Sequence, residues 1–324
     1  MSKFVMVDSH TLPEADYHQE KEILGSAGIE CVLAKCKSAD EVVEAAADAE
    51  CIGTVYQRFD EALIARLPKL KLIVRYGIGY DVVDVAACSR HHVALCNLPT
   101  YCIEDVATHC MALMLDITRK TTMYDRQIRS GNWDVGYGYA NHRLSVQTLG
   151  LAGFGHIARQ VCSYAHGFGM KVIAYDPFCD QTLFKKYGAT QCDLDTLLSQ
   201  SDILSLHVPC TDETRHMINS NSLAKMKRGA LIVNTSRGAL VDNKALCAAL
   251  KSGQIAAAGL DVNEDEPITD PSHPLLSLEN TVITPHSAYN SVEASDTQHT
   301  HAAQTVVTFL SGTIPDNTVN RKAL

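Results

Sequence analysis

The sequence predicts an α/β protein of two doubly wound parallel-sheet domains with a cleft between them. Three observations carry that prediction. The chain has 324 residues, more than one ordinary hydrophobic core serves. Short β-rich runs alternate with helical stretches along its whole length, the pattern of βα units. One strand-to-helix turn, Gly153-Phe-Gly155-His-Ile-Ala158, carries glycines at the spacing that lets a backbone approach a pyrophosphate.

Taken in order, the first strands are Phe4–Val7, Glu30–Leu33, Ile52–Val55, Leu72–Arg75 and Val93–Cys96. Between them lie helical patterns at Glu14–Ala27, Ala39–Ala47 and Glu61–Leu67. A helical stretch from Ile103 to Thr118 comes next. The segment Lys120–Arg143 is polar, aromatic and glycine-containing, breaks the βα rhythm and reads as an arm. The rhythm resumes with six strands: Thr148–Ala152, Lys171–Tyr175, Ile203–Leu206, Ala230–Asn234, Ala256–Asp261 and Thr281–Thr284. A last helical pattern, Val292–Leu310, has no strand after it and is expected to return to the first domain. The expected division is therefore 1–99 plus 290–324 for one domain and 100–289 for the other, with the arm at about 120–143.

Composition narrows the function classes. Hydrophobic content of 46% with 20% charged residues describes a globular protein. A formal charge of −9 argues against nucleic acid as the main partner, because phosphate neutralisation needs a basic face. Twelve cysteines are scattered without a Cys-x-x-Cys pair, and Cys51, Cys110, Cys162 and Cys247 sit in apolar runs. Reduced, buried thiols in a cytoplasmic enzyme are expected. The chain starts as a strand without a signal-peptide region, and no apolar run is long enough for a membrane span. His299-x-His301 with Asp296, and the His91-His92 pair, are expected to be solvated, so no metal site is predicted.

The glycine turn gains meaning from the next strand. Lys171–Tyr175 leads to Asp176, about twenty residues beyond Gly155, where a carboxylate accepts ribose hydroxyls and repels a 2′-phosphate. The residues after it supply no Arg or Lys for such a phosphate. NAD is the expected cofactor, with Gly153, Gly155 and Asp176 holding it.

Three cassettes stand downstream: Asn234-Thr-Ser-Arg237-Gly-Ala-Leu-Val-Asp242, Gly259-Leu-Asp261-Val-Asn-Glu-Asp-Glu266-Pro267 and Thr284-Pro-His286-Ser-Ala. They offer a guanidinium that matches a planar carboxylate, a carboxylate, and an imidazole able to exchange protons near neutral pH. That set can hold an anionic 2-oxo acid and protonate its carbonyl oxygen as hydride arrives at carbon. Read singly, each has a bland alternative. Arg237 caps a strand end, Glu266 is an exposed turn acid like Glu264 and Asp265, and His286 is a turn histidine.

With Val74-Arg-Tyr-Gly-Ile-Gly-Tyr-Asp-Val-Val-Asp84, Cys96-Asn-Leu-Pro99, Glu104-Asp-Val-Ala107 and Leu206-His-Val-Pro-Cys-Thr211, the chain resembles the D-isomer-specific 2-hydroxyacid dehydrogenases over nearly its whole length. The C-terminal-binding-protein-like and phosphoglycerate-dehydrogenase-like branches are the most similar. The resemblance implies a flavodoxin-like substrate domain and a Rossmann NAD domain. It also implies Arg237 as the substrate carboxylate contact, Glu266 as the residue orienting His286, and His286 as the proton donor. It extends the cofactor set to Phe154, His156, Ile157, His207, Val208, Pro209, Thr214, Thr235 and Ser236, with Arg237, Asp261 and His286. It assigns Tyr76, Gly77, Ile78 and Gly79 to the substrate with Arg237 and Tyr289, the glycines freeing backbone N–H groups for an anion. Tyr289 stands where several relatives carry Trp, and only Arg58 and Arg75 are candidates for a phosphate pocket. A small 2-oxo acid is therefore expected ahead of 3-phosphohydroxypyruvate, which 3-phosphoglycerate dehydrogenase would use. The resemblance also admits an NADH-responsive corepressor-like binding protein with little turnover, and it implies a homodimer through the arm.

Overall fold

The computed structural model describes residues 2–12 and 17–324. Its contacts separate two compact units, residues 1–101 with 290–324 and residues 102–289.

The first unit carries a parallel five-stranded sheet: β1 (Lys3–Met6), β2 (Glu30–Leu33), β3 (Cys51–Thr54), β4 (Leu72–Arg75) and β5 (Ala94–Cys96), in the order β2-β1-β3-β4-β5. Successive side chains on a strand face opposite ways, and both faces here are covered. Val5, Ile52, Ile73 and Leu95 pack under Val42, Leu63 and Ala87 on one face. Phe4, Met6, Leu72 and Val74 pack under Tyr17, Leu24, Ala302 and Val306 on the other. The last two belong to the Val292–Leu310 helix, which packs beside the His18–Ser26 helix. Residues 14–16 of the expected first helix lie outside the described residues.

The second unit opens with the Ile103–Arg119 helix and carries seven parallel strands rather than the six expected. They are β6 (Thr148–Ala152), β7 (Lys171–Tyr175), β8 (Thr190–Gln191), β9 (Ile203–Leu206), β10 (Ala230–Asn234), β11 (Ile255–Leu260) and β12 (Thr281–Ile283), in the order β12-β11-β10-β9-β6-β7-β8. The additional strand, β8, is two exposed polar residues at the sheet edge, without the apolar alternation that marks a strand in sequence. The order reverses at β6, so the β6–β9 boundary is a topological switch point, where open parallel sheets offer a crevice at their carboxyl ends. The expected arm begins as the Thr121–Arg129 helix. Beyond it Lys120 Nζ donates to the carbonyls of Tyr137 (2.6 Å) and Tyr139 (2.7 Å), which ties the glycine-rich run back to the helix junction.

Helix starts are set by their caps. The side chains of Ser38, Asp60, Asp84, Asp193, Asp242 and Ser291 each accept an N–H of the helix they precede.

Candidate active site

The glycine turn comes directly after β6 at the switch point. Gly153 has φ +92°, and a Cβ there would press on the His207 carbonyl at 2.7 Å, so the turn and the β9 end cross at a distance only glycine permits. Gly155 differs: a Cβ on it would meet nothing within 4 Å. The space in front of it is open, as a phosphate group requires, and it caps the His156–Gly167 helix, whose first N–H groups face that way. Asp176, at the end of β7, accepts from the Phe154 amide (2.9 Å) through one oxygen and from the Phe178 (2.9 Å) and Cys179 (3.1 Å) amides through the other. The carboxylate thus sits beside the turn with acceptor capacity left for a ribose hydroxyl. These features fit a dinucleotide.

At the neighbouring strand ends β10, β11 and β12 deliver the three cassettes to one edge. Gly238 shows how closely they meet, because a Cβ there would overlap the backbone of Asn263 and Glu264. The turn bearing Arg237 therefore rests on the loop bearing Glu266. Arg237 is half-buried with Nη1 donating to the Ser236 carbonyl at 2.7 Å. Ser236 Oγ donates to the Leu206 carbonyl (2.7 Å), which ties this turn to β9. Glu266 accepts the Asn263 amide (2.5 Å) through one oxygen and lies 2.8 Å from His286 Nδ1 through the other. With Nδ1 facing a carboxylate, His286 presents Nε2 outward as the position that carries or receives a transferable proton.

His286 is held in a costly conformation. Its φ is +54°, left-handed backbone that costs a non-glycine residue about 1–2 kcal/mol. The surroundings impose it through Asp261. The Asp261 carbonyl accepts the His286 amide (2.7 Å), while its carboxylate takes the amides of Ser287 and Ala288 (both 2.9 Å) and the Thr284 hydroxyl (2.5 Å). Burial alone would raise this carboxyl. Hydrogen bonds from His109, Thr284, Ala288 and Ser287 outweigh it and hold the group at about 2. The resemblance assigned Asp261 to the cofactor; the residue is only 1% exposed and its carboxylate clamps the His286 turn.

Asp261 also links stability to pH. Its carboxyl is lower folded than its ordinary 3.8, so its contribution is complete above about pH 4 and disappears as pH falls through about 2. The amount is on the order of 2 kcal/mol. Urea unfolding should therefore show the wild type losing stability between pH 4 and pH 2. Asp261→Asn should start lower and change less across that window; equal slopes for the two proteins would contradict the clamp.

Other histidines at this edge differ from His286. Burial pulls His207 down to about 4, so it is neutral at neutral pH, with Ser205 Oγ 2.9 Å from Nε2. His156, first in its helix, is also lowered, by burial and then by Arg159. Thr214 Oγ1 donates to the Pro209 carbonyl (2.7 Å), which closes the loop after Val208. The Thr235 hydroxyl is buried at the end of β10. Tyr289 is half-buried, its ring edge-on to His286 with centroids 6.5 Å apart.

Several expectations need correction. Tyr76 does not present its side chain to a ligand: it is buried in the first unit and its hydroxyl donates to Glu20 at 2.8 Å. The Gly77 amide is spent on the Arg75 carbonyl, so it does not reach an anion, and the Ile78 carbonyl accepts from Asn97 Nδ2. His299 is not solvated. It is fully buried with Nδ1 2.6 Å from Glu20, whereas His301, His91 and His92 are exposed. Glu264 is half-buried against His216 Nε2 (2.6 Å), unlike exposed Asp265. None of the twelve cysteines is in a disulfide, and eight of them are buried. Among the described residues, no helix is long and apolar enough to cross a membrane, and no group of three metal-ligating side chains assembles.

Comparison with known proteins agrees with this geometry. The family described as "D-isomer specific 2-hydroxyacid dehydrogenase, NAD binding domain" matches residues 111–288. A glyoxylate reductase of Korarchaeum cryptofilum is 38% identical over 287 residues, 87% of this chain and 86% of that protein. A glyoxylate reductase structure from Paecilomyes thermophila superposes with a TM-score of 0.88 at 30% identity, covering 99% of each chain. The D-lactate dehydrogenase of Aquifex aeolicus, complexed with NAD and lactic acid, gives 0.86 at 30% identity, again over 99% of each.

Proposed function

This chain belongs to the D-isomer-specific 2-hydroxyacid dehydrogenase family, and from that premise we propose that it reduces a small 2-oxo acid of the glyoxylate type to its D-2-hydroxy acid, with His286 as proton donor. NAD, when bound as NADH, supplies the hydride. Gly153 to Ile157 and Asp176 would hold it, with the loop from His207 to Thr214 and the end of β10. The chain's own residues do the rest. Arg237 docks the substrate carboxylate and polarises the neighbouring carbonyl. His286 donates a proton to the carbonyl oxygen, and in the reverse direction the neutral ring removes it from the alcohol. Glu266 holds the ring so that one nitrogen points at substrate.

The observation that carries this reading is the 2.8 Å contact between Glu266 and His286 Nδ1, with Glu266 itself pinned by the Asn263 amide. That contact joins the acid of one cassette to the imidazole of another. The relatives named glyoxylate reductase support a small substrate. The test is NADH oxidation across glyoxylate, hydroxypyruvate, pyruvate, branched 2-oxo acids and 3-phosphohydroxypyruvate. Turnover should be fastest with glyoxylate or hydroxypyruvate. No oxidation with any of them would overturn the reading, and a preference for 3-phosphohydroxypyruvate would overturn the substrate choice.

The same reading extends to a cytoplasmic homodimer. Thiols outside any disulfide throughout the chain suit a reducing compartment. On the arm, Trp133 and Val135 are 90% and 91% exposed, an apolar pair that suits burial against a second copy. Sedimentation at micromolar concentration should give twice the 35.3 kDa chain mass; a monomer would refute the dimer.

A further inference from the structure

The turn that carries His286 is tied to a second histidine on another element. His109 lies on the Ile103–Arg119 helix, its Nε2 2.9 Å from Thr284 Oγ1 and 3.4 Å from Asp261 Oδ1. Thr284 Oγ1 in turn lies 2.5 Å from Asp261 Oδ1. We propose that His109 is a positioning residue for the reaction, holding the His286 turn in register through Thr284 and Asp261.

Counting protons fixes the direction of these hydrogen bonds. Asp261, buried and held well below the ordinary carboxylate range, is an acceptor only. The single Thr284 proton therefore goes to Asp261, and the Thr284 oxygen accepts from its other neighbour. His109 Nε2 must then carry a hydrogen, which also suits its approach to Asp261. His109 is thus a fixed donor with its tautomer set by the carboxylate behind it.

The consequence reaches the reacting histidine because every link is short and shared. Asp261 accepts from the amides of Ser287 and Ala288, and its carbonyl takes the amide of His286, so the carboxylate and the residues on both sides of His286 form one assembly. His286 sits in left-handed backbone, which only an over-determined turn maintains. Without a donor at position 109, the Thr284 oxygen loses its partner and Asp261 loses a contact that keeps it charged. The turn then relaxes, and a proton donor displaced by an ångström loses about 100-fold in rate.

The inference rests on the proposed role of His286, and its test separates the two. His109→Leu removes the donor, whereas His109→Gln returns an N–H at similar reach. The leucine variant should lose about 10- to 100-fold in kcat for 2-oxo acid reduction with KM for NADH unchanged, and the glutamine variant should recover most of it. Independently of turnover, 15N spectra of the ligand-free protein should show His109 protonated at Nε2, and Thr284→Val should alter that signal where Thr284→Ser does not. If His109→Leu fails to fold, the Thr284 pair measures the same kcat difference. A His109 protonated only at Nδ1, a leucine variant within twofold of wild type, or equal losses in leucine and glutamine variants would overturn the inference. Retained turnover in His286→Ala would instead remove the role of His286 and leave the His109 tautomer standing.

Discussion

Arg237→Ala is expected to lower kcat/KM for the 2-oxo acid by about 10³-fold, the loss expected when one partner of a desolvated, hydrogen-bonded charge pair is removed. NADH affinity, read by fluorescence titration, should change little, because the dinucleotide rests mainly on the turn after β6 and on Asp176. Arg237→Lys should recover only part of the loss. It restores the charge but not the planar fork that matches a carboxylate through two parallel bonds. The half-buried side chain is already directed by its bond to the Ser236 carbonyl, and Gly238 lets the Asn263 loop pack against its turn. A variant that bound and reduced its 2-oxo acid as well as wild type would show that the carboxylate is held elsewhere.

His286→Ala is expected to lower kcat by about 10²- to 10⁴-fold, the usual contribution of a positioned general acid. Two histidines at this edge are not suited to replace it. His207 is kept neutral at about 4, and His109 spends its Nε2 hydrogen on Thr284 and Asp261. Steady-state reduction at neutral pH with NADH saturating gives the comparison, and turnover within a few-fold of wild type would exclude the assignment.

Much of this was legible in the sequence because its carriers are local. The unbroken apolar run Phe4–Val7 announces a strand covered on both faces, and each cassette is one contiguous stretch at a strand end. The glycine turn and Asp176 share a single βαβ unit. The features that were not legible depend on distant partners. Tyr76 looks like a loop residue until Glu20 and the buried His299 meet it, and both are remote in the chain. His109 reads as one polar residue on an apolar helix. Its partner Thr284 lies 175 residues away, so no spacing rule connects them. Asp261 shows the same limit. A strand-end acid suits a cofactor contact and a turn clamp equally well in sequence, and only the Ser287 and Ala288 amides reveal the clamp. The edge strand Thr190–Gln191 has too few residues for any periodicity.

Glu266 and His286 are expected to act as one unit on the substrate carbonyl. The most direct test is the single-turnover rate of NADH oxidation in His286→Ala, Glu266→Gln and the double variant, each saturated with NADH and the preferred 2-oxo acid. If Glu266 works only through the ring it holds, Glu266→Gln is slowed by itself and the double variant is no slower than His286→Ala. Losses that multiply in the double variant, or a His286→Ala variant that keeps the wild-type rate, would contradict it.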